Sequence, residues 1–191
     1  MKQARTLTDK QLKAVYAHCG TRRHAARDRA IVAVSFMAGL RAKEIAALTI
    51  DNVVDDSGNI RDEFVLTREQ TKGRKARRVF VSQRLKRELE AYLKTATLRK
   101  GCFALFQSQK GAAFSPNTMC QLFLNIYENS GVDGASSHSG RRSLLTNLAG
   151  KGISVRVLAE IAGHSSIAIT QRYLDVNDEQ MRAAVNSSSF I

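Results

Sequence analysis

Apolar residues recur at helical spacing along almost the whole chain, and one stretch, residues 60–82, departs from that pattern. A chain written this way is confined to a mostly helical domain carrying a small sheet, an α+β fold with α predominant. Thr8 and Gln11 have the spacing of a capping box and open a first helix through about Cys19. A second helix is expected from about Ala25 to Ala38, with Ala30, Val34 and Met37 inward and Gly39 as its stop. A short helix follows over about Ala42 to Leu48. In the departing stretch, Phe64 and Val65 suggest one strand and Val79, Phe80 and Val81 another, with Lys72-Gly73-Arg74-Lys75 as the hairpin turn between them. Ser82 caps a helix bearing Leu85, Leu89, Tyr92 and Leu93. Ser115-Pro116 opens another, whose Met119, Leu122, Phe123, Ile126 and Tyr127 share one face before Gly131 ends it. Three shorter helices are expected after it: from near His138 to about Ala149, from after Ser154 to a stop at Gly163, and one starting near Ser166 and containing Tyr173. A last one covers Glu179 to Val185.

At 191 residues and 43% hydrophobic, the chain can bury the core of one domain, and no Pro, Gly or Ser linker divides it. No apolar run reaches membrane-spanning length and residues 1–10 hold no signal-like stretch, so a soluble cytoplasmic protein with no membrane partner is expected. Cys19, Cys102 and Cys120 match no zinc spacing, and their odd number suits small buried hydrophobes in a reducing compartment. Charge is more informative. A net charge of +13 and a pI near 10.2 favour polyanions. With 6% aromatic residues and no Trp, contact with a duplex backbone is favoured over stacking on single strands.

The residues able to act on a phosphodiester fall in three places: Gly39-Leu40-Arg41 with Glu44, His138-Ser139-Gly140-Arg141, and Gly163-His164 followed by Tyr173. The basic run Lys72, Arg74, Lys75, Arg77, Arg78 lies between the first and second. No carboxylate cluster has metal-ligand spacing, and neither a phosphate-binding glycine loop nor a nucleophile elbow is present. Arginines, histidines, a lysine and a tyrosine suit metal-free phosphoryl transfer. Attack on the diester builds charge on the nonbridging oxygens, which two arginines can clamp bidentately. His138 and Arg141, three apart, fall on one helix face at an N-terminus that itself favours phosphate. A tyrosine hydroxyl is ionised in about one molecule per thousand at neutral pH, so phenolate formation costs about 4 kcal/mol unless a base or cations assist. A lysine or histidine can protonate the leaving 5′ oxygen.

The order Arg41, Lys72, His138, Arg141, His164, Tyr173 resembles the catalytic set of the tyrosine recombinase, or phage integrase, family. The surrounding words are similar too: Gly39 to Ile45 resembles the first arginine box, Thr71 to Arg77 the lysine hairpin, and Leu158 to Ser165 with Thr170-Gln171-Arg172-Tyr173 the final histidine and tyrosine boxes. The likeness runs from about Leu7 to Val185. It implies the DNA breaking-rejoining catalytic fold and a site-specific recombinase that cleaves and rejoins double-stranded DNA with neither ATP, metal nor other cofactor. Residue by residue, it implies that Tyr173 attacks to form a 3′-phosphotyrosyl link. Arg41, Arg141 and His164 bind the scissile phosphate, Lys72 protonates the leaving oxygen, and His138 assists proton transfer. Arg74, Lys75, Arg77 and Arg78 are expected to contact DNA, and Glu44 to brace the arginine site.

Two positions depart from the family pattern, which often has a hydrophobic residue before the second box's arginine and a histidine after it. Here these are Gly140 and Arg142, and altered packing with retained activity is expected. The helical domain that usually precedes the catalytic one is absent from the sequence, so residues 1–191 are read as a single catalytic domain, naturally short or excised from a longer protein. The resemblance further implies a homo-oligomer, commonly a tetramer on paired sites, with the tail from Asn177 to Ile191 packing on a neighbour or within its own chain. A bacterial, phage or plasmid (mobile-element) setting fits. Two competing readings are a type IB topoisomerase, recognised by supercoil relaxation without strand exchange, and a noncatalytic DNA-binding regulator, which would have no need of Tyr173.

Overall fold

Thr8 sets the first helix by the expected reciprocal bonds: its hydroxyl accepts from Gln11 N at 3.3 Å and the Gln11 side chain accepts from Thr8 N at 3.0 Å. Helix α1 then runs over Asp9–Thr21. The computed structural model describes residues 4–71 and 75–171, together with 182, 185 and 186. The expected turn residues Lys72, Gly73 and Arg74, the expected nucleophile Tyr173, and all of the tail beyond it save those three positions lie outside the described residues.

Helix α2, Ala25–Met37, is the centre of the domain. Its expected inward residues Ala30 and Val34 are buried, but so are Ile31, Val32, Ala33 and Ser35, so the helix is covered on all sides. Periodicity cannot register this, because a helix wrapped by neighbours has no polar face to mark the phase. Those neighbours include α1, α5 (Gln83–Thr95) and α7 (Ser139–Gly150). Helix α5 turns Leu85, Leu89 and Tyr92 inward, and the Tyr92 hydroxyl donates to Leu105 O at 2.9 Å, meeting the demand of a buried phenol. Helix α6, Pro116–Asn129, begins at the Ser115 cap with proline in its first turn and buries Met119, Phe123, Ile126 and Tyr127.

Other elements differ from expectation in their bounds. Helix α3 spans Ala42–Ala46, shorter than the reach to Leu48. A further turn, α4, occupies Ile50–Val53, opened by a Thr49–Asn52 capping box that the sequence reading overlooked. Strands β1, Glu63–Leu66, and β2, Arg77–Phe80, form an antiparallel pair in which Phe64 faces Val79 and Leu66 faces Arg77. Strand β2 therefore begins before Val79 and ends before Val81. Its alternation puts Val79 and Arg77 on the inner face and leaves Arg78 and Phe80 outside.

Helix α7 starts beside His138, as expected, with His138 as its N-cap. It is followed by α8, Val155–Ala162, capped by Ser154, and α9, Ile167–Gln171. Leu145 of α7 with Leu158 and Ala162 of α8 form a small core separate from the main one. This pair joins the main body where α7 crosses α2. A Cβ on Gly140 would lie 2.3 Å from Ser35 Oγ and 2.8 Å from the Phe36 ring, so the crossing is closer than any side chain allows. The departure at this position is thus accommodated by a tight helix contact. Among the described residues no helix is long and apolar enough to cross a membrane.

Candidate active site

Where α2 ends, Gly39 takes a left-handed conformation with φ 67°, which reverses the chain and delivers Arg41 to the N-cap of α3. Glu44 sits one turn on and is fully buried. Its carboxylate accepts from Arg41 N at 2.9 Å and Arg41 Nη1 at 2.8 Å, and from Arg77 Nη2 at 2.8 Å. Burial alone would raise the Glu44 pKa. Arg77, then the Arg41 backbone amide and the Arg41 guanidinium, outweigh it and hold the carboxyl below its usual range. Glu44 is a brace, as its place in the sequence suggested. One carboxylate shared by two guanidiniums leaves net positive charge, and Arg41 keeps Nε and Nη2 without a protein partner among the described residues.

The second arginine is held by helix ends. Arg141 is 4% exposed; its Nη1 donates to Gly39 O at 2.8 Å and its Nη2 to Ala162 O. The Ala162 carbonyl terminates α8, where the helix dipole places partial negative charge, and Gly39 lies in the turn just beyond α2. Arg77 Nη1 donates to Ile161 O at 2.9 Å on the same end of α8. Gly163 then turns the chain with φ 59°, and a Cβ there would fall 2.5 Å from Arg77 Cδ, so glycine is required both by conformation and by space.

His164 follows that turn. Its Nδ1 is 2.8 Å from the hydroxyl of Thr170, a fully buried residue of α9. The bond fixes the plane of the ring and leaves Nε2 on its far edge. Burial, then the positive charges of Arg141, Arg41 and Arg77, push the His164 pKa down to about 4. The imidazole is therefore neutral at physiological pH and surrounded by guanidiniums, an arrangement suited to an anion.

The structure thus brings Arg41, Arg141 and His164 of the expected set together. His138 stands exposed at the N-cap of α7, one turn ahead of buried Arg141. Lys72, Arg74 and Tyr173 lie outside the described residues. Of the cations assigned to DNA, Lys75 and Arg78 are exposed, Arg78 facing Glu63 at 3.6 Å across the sheet. Arg77 differs: its side chain is 9% exposed and its guanidinium is engaged by Glu44 and Ile161. The sequence reading gave Thr170 no role, although it stands in the quoted tyrosine box. A cavity of about 820 Å³ between the α1–α2 turn and α6, lined by Arg22, His24, Arg27 and Phe114 among others, shares no residue with this cluster.

Residues 5–180 match the model of the phage integrase family. Tyrosine recombinase XerC of Myxococcus xanthus is 34% identical over 170 residues, covering 85% of this chain and 54% of that protein. Tyrosine recombinase XerA of Pyrococcus horikoshii is 29% identical, covering 86% of this chain and 56% of its own. The chain spans about half the length of the curated relatives it matches. Among solved structures, XerA recombinase superposes with a TM-score of 0.79 at 23% identity, covering 97% of this chain and 65% of that one. The Tn1549 transposon integrase in complex with a circular intermediate DNA gives 0.78 at 18% identity, covering 98% and 67%. The catalytic domain of bacteriophage HP1 integrase gives 0.67 at 21% identity and matches nearly end to end, covering 98% of this chain and 97% of that one. The expected fold is therefore the one observed, and with a family model spanning almost its whole length the chain belongs to the phage integrase family.

Proposed function

We propose that this chain is the catalytic unit of a site-specific DNA recombinase that cuts and rejoins duplex DNA through a covalent bond to Tyr173. The observation that carries the reading is the continuous set of contacts linking the boxes: Arg41 to Glu44, Glu44 to Arg77, Arg77 to the end of α8, and Arg141 to that same end beside His164. Such a cluster of preorganised donors suits the charge that develops on a phosphodiester in its transition state. In the proposed reaction the Tyr173 oxygen attacks phosphorus, the bond to the 5′ oxygen breaks, and the 3′ phosphate passes to tyrosine. The phenol proton leaves toward His138, and Lys72 gives a proton to the departing 5′ oxygen. Reversal by a 5′ hydroxyl from another strand rejoins DNA, and the diester energy is conserved. The integrase of the same fold in complex with a circular intermediate DNA supports a DNA partner. Assembly as a tetramer on paired sites in the cytoplasm belongs to the same proposal.

The test uses a duplex selected by the protein from a random pool and then nicked beside the cleavage position, so that the short 5′ fragment diffuses away. Wild type is expected to form an adduct stable to detergent. Tyr173→Phe is expected to form none while binding the duplex within about twofold of wild type, since only the reacting oxygen is lost. An equal adduct yield in Tyr173→Phe would overturn the nucleophile assignment.

A further inference from the structure

Arg77 stands in a basic run and looks from sequence like one more phosphate contact. Its surroundings differ from those of its neighbours. Strand alternation turns it to the inner face, paired with Leu66, while Arg78 points out. Both Nη atoms are committed, one to Glu44 Oε2 and one to Ile161 O, and Nε is buried with no partner among the described residues. A phosphate has no edge of this guanidinium to approach. Its aliphatic stem also forms the floor under the Gly163 turn, where a Cβ would meet Cδ at 2.5 Å.

We infer that Arg77 is a positioning residue, locking the arginine box, the end of the histidine helix and strand β2 into one geometry, and that it does not contact DNA. The inference rests on the recombinase reading above. Through Glu44 it sets the fork of Arg41. Through Ile161 and Gly163 it sets the turn that presents His164, next to the carbonyl that holds Arg141. It is also the first residue of β2, so the same two bonds anchor the start of that strand. A lysine can replace it only in part, because a single ammonium lacks the planar fork that spans a carboxylate and a carbonyl at once.

The experiment compares Arg77→Gln, Arg77→Lys and Lys75→Ala for duplex affinity across a salt series and for single-turnover cleavage of the nicked duplex at saturating protein. Arg77→Gln is expected to keep the wild-type salt slope and to lose roughly 100-fold in cleavage, the scale of an ångström-level misplacement. Its His164 ring resonances should shift. Arg77→Lys should recover part of the rate, while Lys75→Ala, at an exposed cation, should lower the salt slope by about one. If Arg77→Gln does not fold, Arg77→Lys decides: slowed cleavage with unchanged slope supports positioning, and wild-type cleavage overturns it. A salt slope reduced by about one in either Arg77 variant, with cleavage at saturation intact, would make Arg77 a DNA contact after all. A wild type that forms no adduct breaks the recombinase reading instead. The inference is then judged on binding and resonances: unchanged slope with shifted His164 signals supports it, and reduced slope or unmoved signals overturn it.

Discussion

Single side chains here are defined by what holds them. Glu44 tolerates complete burial because Arg41 and Arg77 surround it, and removing either cation would leave a buried charge underpaired. His164 shows the opposite sign. Burial and the neighbouring guanidiniums lower its pKa to about 4, against 6.5 in an unfolded chain. The unfolded state therefore binds a proton first as pH falls. The stability this neutral ring contributes is complete above pH 6.5 and is lost progressively toward pH 4. His164→Gln should accordingly flatten the rise of stability with pH between about 4.5 and 6.5, measured by urea unfolding at several pH values. An unchanged slope in the variant would contradict the neutral, hemmed-in imidazole. Glu44 was legible as a brace from its place in the first box. Thr170 was not, because a hydroxyl's partner across a turn leaves no periodic signal.

Elements meet at glycines. Gly39 and Gly163 end α2 and α8 with positive φ, and the carbonyls at those ends are what the site's arginines hold. Gly140 acts between elements: it lets the first turn of α7, carrying Arg141, lie against Ser35 and Phe36 of α2. Gly140→Ala should force those helices apart and cost about 1–3 kcal/mol, the usual range for overpacking. For a domain of this size that is a fall of roughly 2–10 °C in Tm. Cleavage should drop with it, since Arg141 moves with the helix. Adding Ser35→Gly, which removes the facing Cβ and hydroxyl, should restore part of both. Thermal melts and cleavage rates of the single and double variants check this, and a Gly140→Ala variant as stable and active as wild type would refute the tight crossing.

At the scale of the whole molecule, charge governs partner choice. The net +13 gives a field that attracts polyanions, and Lys75 and Arg78 are exposed to it. The Arg78–Glu63 pair is long and exposed, so it restrains Arg78 little. Duplex affinity should fall steeply with salt, with log K changing by about −0.9 per neutralised phosphate for each unit of log salt. Filter binding or fluorescence anisotropy at several salt concentrations measures it. A flat response would refute backbone contact by this surface.

Local information sufficed wherever one segment carried its own signal. The capping pairs Thr8–Gln11 and Ser115-Pro116, the apolar stripes of α5 and α6, the hairpin and the spaced polar boxes could all be read along the chain. Even Arg77 was open to such a reading: buried Val79 fixes the phase of β2, and period two then turns Arg77 inward. What only the tertiary structure decided concerns groups brought together from distant segments. Glu44 is shared between α3 and β2, Arg141 is held by the ends of α2 and α8, and α2 is buried on every side. Each depends on the summed packing of several elements. Spacing along one segment encodes which face a residue lies on, whereas the identity of what lies opposite is set only when the helices close on one another.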